Sequence, residues 1–194
     1  MPTLDQLPAG TFRQSDAARA GINARSLYRL RDAGKIEAIS RGLYRRTDAP
    51  PGNIDLIEIT IRAPRATICL ASALARHGLI DAIPARTDIA IPRGHTAPIT
   101  TAPAMWHQFN RATFDLGRDI IIIEGSDQTI GLYGPERSIA DAFRLRGTEG
   151  YETATEALRA WLGRRGSQPA RLMEMAIRLP RAQQPIRQAL EYLT

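Results

Sequence analysis

Along Thr11 to Arg46 (TFRQSDAARAGINARSLYRLRDAGKIEAISRGLYRR) the apolar positions change period partway. Ala17, Leu27 and Leu30 sit at helical offsets, whereas Ile36 to Ile39 and Leu43 to Arg46 are short β-like runs. The pattern predicts a helix, a tight turn, a second helix and a short two-stranded wing. Ala17 is small enough for two helices to cross closely, Gly21 supplies the turn, and Leu27 and Leu30 are core anchors one helical turn apart. Asn23 stands where the second helix needs an N-cap and Gly34 where it stops. Ser40, Arg41 and Gly42 form the hairpin turn of the wing. Leu4 and Leu7 suit part of a first helix packed under the motif.

Beyond the wing the pattern breaks at Thr47 to Asn53 (TDAPPGN), whose two prolines and glycine continue neither strand nor helix. That break places a domain boundary, giving a winged helix-turn-helix over 1–48 and a second domain over 54–194. Residues 54–61 (IDLIEITI) fit either a strand or a short helix. Ala66 to Leu79 has helical spacing; Thr87 to Pro92, Met105 to Phe109, Thr113 to Leu116 and Ile130 to Tyr133 read as strands. Ile120 to Ile123 is a β-branched run that predicts a buried strand. From Pro135 the period turns helical, with Ile139, Ala142 and Phe143 on one face, and helices follow over about 151–163, 168–178 and 183–193. The expected fold class is α+β: an N-terminal winged helix-turn-helix, then a mixed α/β domain ending in helices.

Charge sharpens this division. Residues 11–46 carry nine Arg or Lys against three acids, a net of +6, which equals the charge of all 194 residues. The rest of the chain is therefore neutral in sum, and the surplus sits on the element with the DNA-binding pattern, as phosphate attraction requires. A sequence pI near 10.2 agrees. The single Cys69 excludes an internal disulfide and a multi-cysteine zinc site. No apolar run approaches the ~20 residues of a membrane span and the N-terminus lacks a secretory pattern, so a cytoplasmic protein is expected.

On the second helix Arg25 and Arg29 lie one turn apart beside Ser26, opposite the core-facing Leu27 and Leu30. In a major groove these three would meet base edges, where arginine forks onto guanine. Tyr28 and Asn23 suit phosphate contacts. Arg13, Gln14 and Ser15, at the start of the first helix, suit a phosphate seat, and Arg41, at the wing tip, suits the minor groove with Arg45 and Arg46 flanking it. The alternative for Arg29 is a surface ion pair with Asp32.

Enzyme chemistry finds little support. His77, His95 and His107 show no metal-binding spacing, and His77 on an apolar helix reads as a packed residue. Gly125-Ser126-Asp127 is weakly similar to the start of a nucleotidyltransferase loop, but that chemistry needs two acids on a strand for magnesium, and Asp141 lies on an expected helix. Lys35, the sole lysine, belongs to the winged element, and no Walker loop or Gly-x-Ser-x-Gly elbow is present. No catalytic residue, metal or cofactor is expected.

The segment SDAARAGINARSLYRLRDAGKIEAISRGLYRR resembles the N-terminal winged helix of AbiEi-type antitoxins, the repressor partners in type IV abortive-infection toxin–antitoxin systems. ASALARHGLID at 71–81, DIAIPRG at 88–94, GLYGPERSIADAFR at 131–144 and the helical end are similar to that family's C-terminal domain. The resemblance implies a DNA-binding antitoxin that binds inverted repeats in double-stranded operator DNA, represses its own operon, and counters a co-encoded nucleotidyltransferase-like toxin without needing to bind it stably. One such module covers only about 600–1,000 Å², so tight operator binding calls for two protomers or help from the second domain. A winged-helix regulator or a protein-interaction module unrelated to a toxin is the alternative.

Overall fold

Phe12 is buried and stacks on Tyr44, with ring centroids 6.2 Å apart, and this pair ties the start of the N-terminal region to its wing. The computed structural model describes residues 4–145, 147 and 150–193. Strand β1 (Thr11–Arg13) runs into helix α1 (Gln14–Arg19), followed by α2 (Ala24–Asp32), β2 (Ile36–Ser40) and β3 (Leu43–Arg46). The strands pair antiparallel in the order β1-β3-β2, so the wing has three strands instead of the two expected. Three residues are too few to display a period of two, and the register, with Phe12 opposite Tyr44, comes from the partner strand. Leu4–Gln6 is a single 3-10 turn, shorter than the helix expected there.

Ala17, Leu27, Ile22, Ile36, Leu7, Phe12 and Tyr44 form one buried cluster, with Leu4 and Leu30 packed against it. Gly21, at φ +79°, makes the turn between α1 and α2 in a conformation that a β-carbon resists.

Residues 54–61 resolve as helix: α3 spans Ile54–Arg62, with the Asn53 side chain accepting the Leu56 N–H at 3.0 Å. Its buried face carries Leu56, Ile57, Ile59 and Thr60, and also Glu58. By compactness the first unit is Met1–Pro64 together with Pro98–Ala102 and Ile122–Thr129; the second is Arg65–Ala97, Pro103–Ile121 and Ile130–Thr194. The proline-rich break at 47–53 is thus a bend inside the first unit. It is held by backbone contact: a β-carbon on Gly125 would lie 1.8 Å from the Pro51 carbonyl oxygen, and one on Gly52 would lie 2.5 Å from that of Glu124.

The second unit is built on a mixed sheet. It contains β4 (Thr67–Ile68), β5 (Thr87–Pro92), β6 (Ala104–Phe109), β7 (Arg118–Ile122) and β8 (Thr129–Tyr133), in the order β6-β5-β4-β8-β7. β5–β6 and β4–β8 are parallel and β4–β5 antiparallel. Helices α4 (Leu70–Arg76), α5 (Pro135–Arg144), α6 (Tyr151–Leu162), α7 (Pro169–Ile177) and α8 (Gln183–Leu193) complete it, and Ile139, Phe143, Leu158, Trp161, Leu172 and Ile186 belong to their shared core. The α+β reading holds.

Three local expectations are corrected. The helix expected over 66–79 begins only at Leu70, because Thr67 and Ile68 are taken into the sheet between β5 and β8. The strand expected over 113–116 is absent: Arg111–Thr113 is a 3-10 turn whose start is capped by Asn110, and Phe114 behind it is fully buried. In the run 120–123 only Ile123 is buried deeply, while Ile120 and Ile122 are 56% and 72% exposed, since β7 is an edge strand. No helix among the described residues is long and apolar enough to cross a membrane.

Candidate nucleic-acid interface

The outer face of α2 is set by its cap and its core. Asn23 accepts the Ser26 N–H at 2.9 Å through its side-chain oxygen, which fixes where the helix begins. Leu27 is buried and Leu30 partly so, which turns Arg25, Tyr28 and Arg29 outward. Arg25 makes no ion pair or hydrogen bond with a described side chain. Arg29 makes only a long contact to the Ser26 hydroxyl, at 3.4 Å. Asp32 pairs with Arg31 at 2.9 Å and leaves Arg29 unpaired. Arg31 also lies over the Tyr28 ring, 5.1 Å from its centroid, which orients an otherwise half-exposed phenol.

Ser26, expected beside the two arginines at base edges, is less open than they are. It is buried, its N–H is bonded to the cap, and it sits on the core side of the helix.

At the start of α1 Arg13 is engaged within the chain. The Asp16 carboxylate reaches back to accept the Arg13 N–H at 2.8 Å, and the Arg13 guanidinium donates to the Ile61 carbonyl at the end of α3. Gln14 and Ser15 are exposed, with the Gln14 N–H donating to the Gly42 carbonyl at 2.9 Å.

On the wing, Arg41 is exposed at the tip and its side chain is without a partner among the described residues. Arg45 and Arg46, expected to flank it, are hydrogen-bonded within the chain. Arg45 is 6% exposed and donates to the Pro50 carbonyl, with Glu37 4.0 Å away. Arg46 donates to Asp48 at 2.6 and 2.8 Å and to the Leu4 carbonyl at 3.2 Å. This hydrogen-bonded pair raises the Arg46 pKa and lowers that of Asp48. Sequence alternation could not reveal this, because both arginines are turned to the chain that follows the wing. Lys35, just after α2, is exposed.

The sequence reading missed α3 as the wing's support. Arg62 donates to the Ser40 hydroxyl at 2.9 Å and to the Arg41 carbonyl at 2.8 Å, so the hairpin tip is held by a guanidinium on another element. Behind it Glu58, 1% exposed, lies 3.6 Å from Arg62 and accepts the N–H groups of Thr101 and Ala102 at 3.0 and 2.9 Å. Burial alone would raise the Glu58 pKa. Hydrogen bonds from Ser40, Ala102 and Thr101, with the Arg62 charge, outweigh it and hold the carboxyl below its ordinary 4.5. The Glu58/Arg62 spacing of four residues and Asn53 ahead of them were the available signals for a helix with a charged node.

The residues weighed for catalysis have structural partners. Ser126 closes a turn, its N–H and hydroxyl both donating to the Ile123 carbonyl. Asp141 is fully buried between Arg137 (2.9 Å) and Arg144 (2.6 Å). His77 lies 2.8 Å from the Tyr133 carbonyl and His107 2.9 Å from Asp88. Among the described residues no three His, Cys, Asp or Glu side chains gather as a metal site.

Residues 3–47 match the family model described as "Transcriptional regulator, AbiEi antitoxin". No curated protein sequence matches the chain. Among solved structures, the crystal structure of RV2827C protein from Mycobacterium tuberculosis is similar in fold, with a TM-score of 0.50 and 15% identity over 96% of this chain and 76% of that one.

Proposed function

We propose that the segment 3–47, which matches the AbiEi antitoxin regulator model, serves as a DNA-binding regulator domain and that the chain represses transcription of its own operon. The observation that carries this reading is the pair Arg25 and Arg29, exposed on one capped helix with no carboxylate partner among the described residues, together with an exposed Arg41 on the wing. In this reading α2 enters the major groove, Arg25 and Arg29 fork onto base edges, and Arg41 follows the backbone or the adjacent minor groove. Tyr28, Gln14, Ser15 and the free amide of Asn23 supply neutral contacts to phosphate. Two protomers on paired half-sites bring the contact area to that of a specific complex.

The family also supports an antitoxin role against a co-encoded nucleotidyltransferase-like toxin. Growth rescue on co-expression with the product of a neighbouring nucleotidyltransferase-like gene tests that part separately.

For the interface, Arg25→Ala and Arg29→Ala each weaken specific binding by about 1–3 kcal/mol while leaving non-specific binding largely intact. Titration of each variant against promoter DNA and against a scrambled duplex reads this out. Equal losses on both duplexes would move the two arginines from base reading to phosphate contact, and no loss on either would remove them from the interface.

A further inference from the structure

The second unit contains a pocket of about 510 Å³ whose wall includes Leu70, Arg93, Trp106, His107, Arg144 and Arg181. None of the described residues lining it is an Asp or Glu, so three guanidinium groups share one concavity with no acid facing them. The acids bonded to the pocket's side chains, Asp141 on Arg144 and Asp88 on His107, stand behind its wall. Asp141, fully buried, accepts from the Arg144 Nε at 2.6 Å, and the Arg144 head lies 5.0 Å from the Phe109 ring centroid. That leaves the terminal nitrogens of Arg144 oriented and without a partner among the described residues. His107 is held in the same way, its Nε2 donating to Asp88 at 2.9 Å, while the other Asp88 oxygen accepts the Ser72 hydroxyl at 3.1 Å.

Arg93 and Arg181 are exposed, and neither side chain has a hydrogen bond or ion pair to a described residue. Leu70 and Arg181, at φ +47° and +67°, are the two non-glycine residues among those described with left-handed backbone, and both line this pocket.

Like charges gathered in one concavity, with no acid among its described lining, are relieved by an anion from outside. Guanidinium forks match the oxygens of a phosphoryl group, and the volume falls in the range of small-molecule sites, about 300–1,000 Å³. We infer that this pocket binds the phosphoryl group of a small phosphorylated molecule. The site lies outside the winged element and does not depend on operator recognition.

The test uses the full chain, with inorganic phosphate and adenosine 5′-monophosphate as probes in calorimetric titration, and with the Trp106 indole resonance followed by NMR. Saturable binding and a shift of that resonance are expected. Arg93→Ser and Arg181→Ser, at exposed positions without partners, should each weaken it about tenfold, the loss of one charged hydrogen bond. Arg165→Ser, exposed and outside the pocket, should not. Tighter binding of the nucleotide than of phosphate would identify a nucleotide as the source of the phosphoryl group, and equal binding would identify phosphate itself. Absence of saturable binding, or binding that survives in the Arg93→Ser/Arg181→Ser double variant, overturns the inference. So does a result in which neither probe binds while the double variant loses affinity for duplex DNA, since the arginines would then be backbone contacts.

Discussion

Glu58 shows how a single side chain supports a surface hairpin that it does not belong to. Its carboxylate anchors the 101–102 backbone and faces Arg62, which in turn grips the hairpin tip. Glu58→Gln should destabilise the fold by about 1–3 kcal/mol, the scale for a hydrogen bond to a charged group in a buried place. Because the folded pKa is depressed below 4.5, the ionic part of this contribution is fully present above that pH and is lost as pH falls through the folded value. Urea unfolding of both proteins should therefore give a gap that is constant near neutrality and narrows below about pH 4.5. A gap that widened on acidification would contradict the assignment. Arg41 and Arg45 supply a second contrast at this scale. Arg41→Ala should lower the salt dependence of DNA binding by about one unit of slope with stability unchanged within about 0.5 kcal/mol. Arg45→Ala, which empties a buried site against the Pro50 carbonyl, should cost folding stability and leave the slope alone.

At the scale of elements, α5 carries the clearest conflict between sequence pattern and burial. Pro135 at its start and the Ile139/Phe143 face were readable from period alone, yet the same helix buries Arg137 and Asp141 completely. Arg137 donates to Asp141 and to the carbonyls of Thr113 and Leu116, and its head lies 4.2 Å from the Tyr133 ring centroid. The Tyr133 hydroxyl donates to the Phe114 carbonyl at 2.8 Å, and burial pushes its pKa up. Arg137→Met removes one partner of a buried pair and should cost about 3–5 kcal/mol in chemical denaturation. A loss below about 1 kcal/mol would mean that Arg144 alone satisfies Asp141. Such partners are invisible in the sequence, because a charged residue at helical spacing normally marks the solvated face. The same limit explains β1 and α3: the first is too short to show a period, and the second is apolar on enough positions to pass for a strand.

Across the molecule, the parts written locally could be read from the chain and the parts written by distant contacts could not. The Asn23 cap, the Gly21 turn, the core positions Ala17 and Leu27, and the outward setting of Arg25 and Arg29 follow from spacing, and the structure places them so. The internal hydrogen bonds of Arg13, Arg45 and Arg46 go to Ile61, Pro50, Leu4 and Asp48, partners that no periodicity points to. Several arginines behind the cationic surplus of residues 11–46 are therefore committed to partners within the chain. Lys35 is the one lysine in the chain, exposed directly after α2. Apart from an N-terminal amine, an acylating dye or cross-linker finds a single side-chain attachment point in this sequence, so a fluorescent reporter can be fixed directly after α2 without altering any residue.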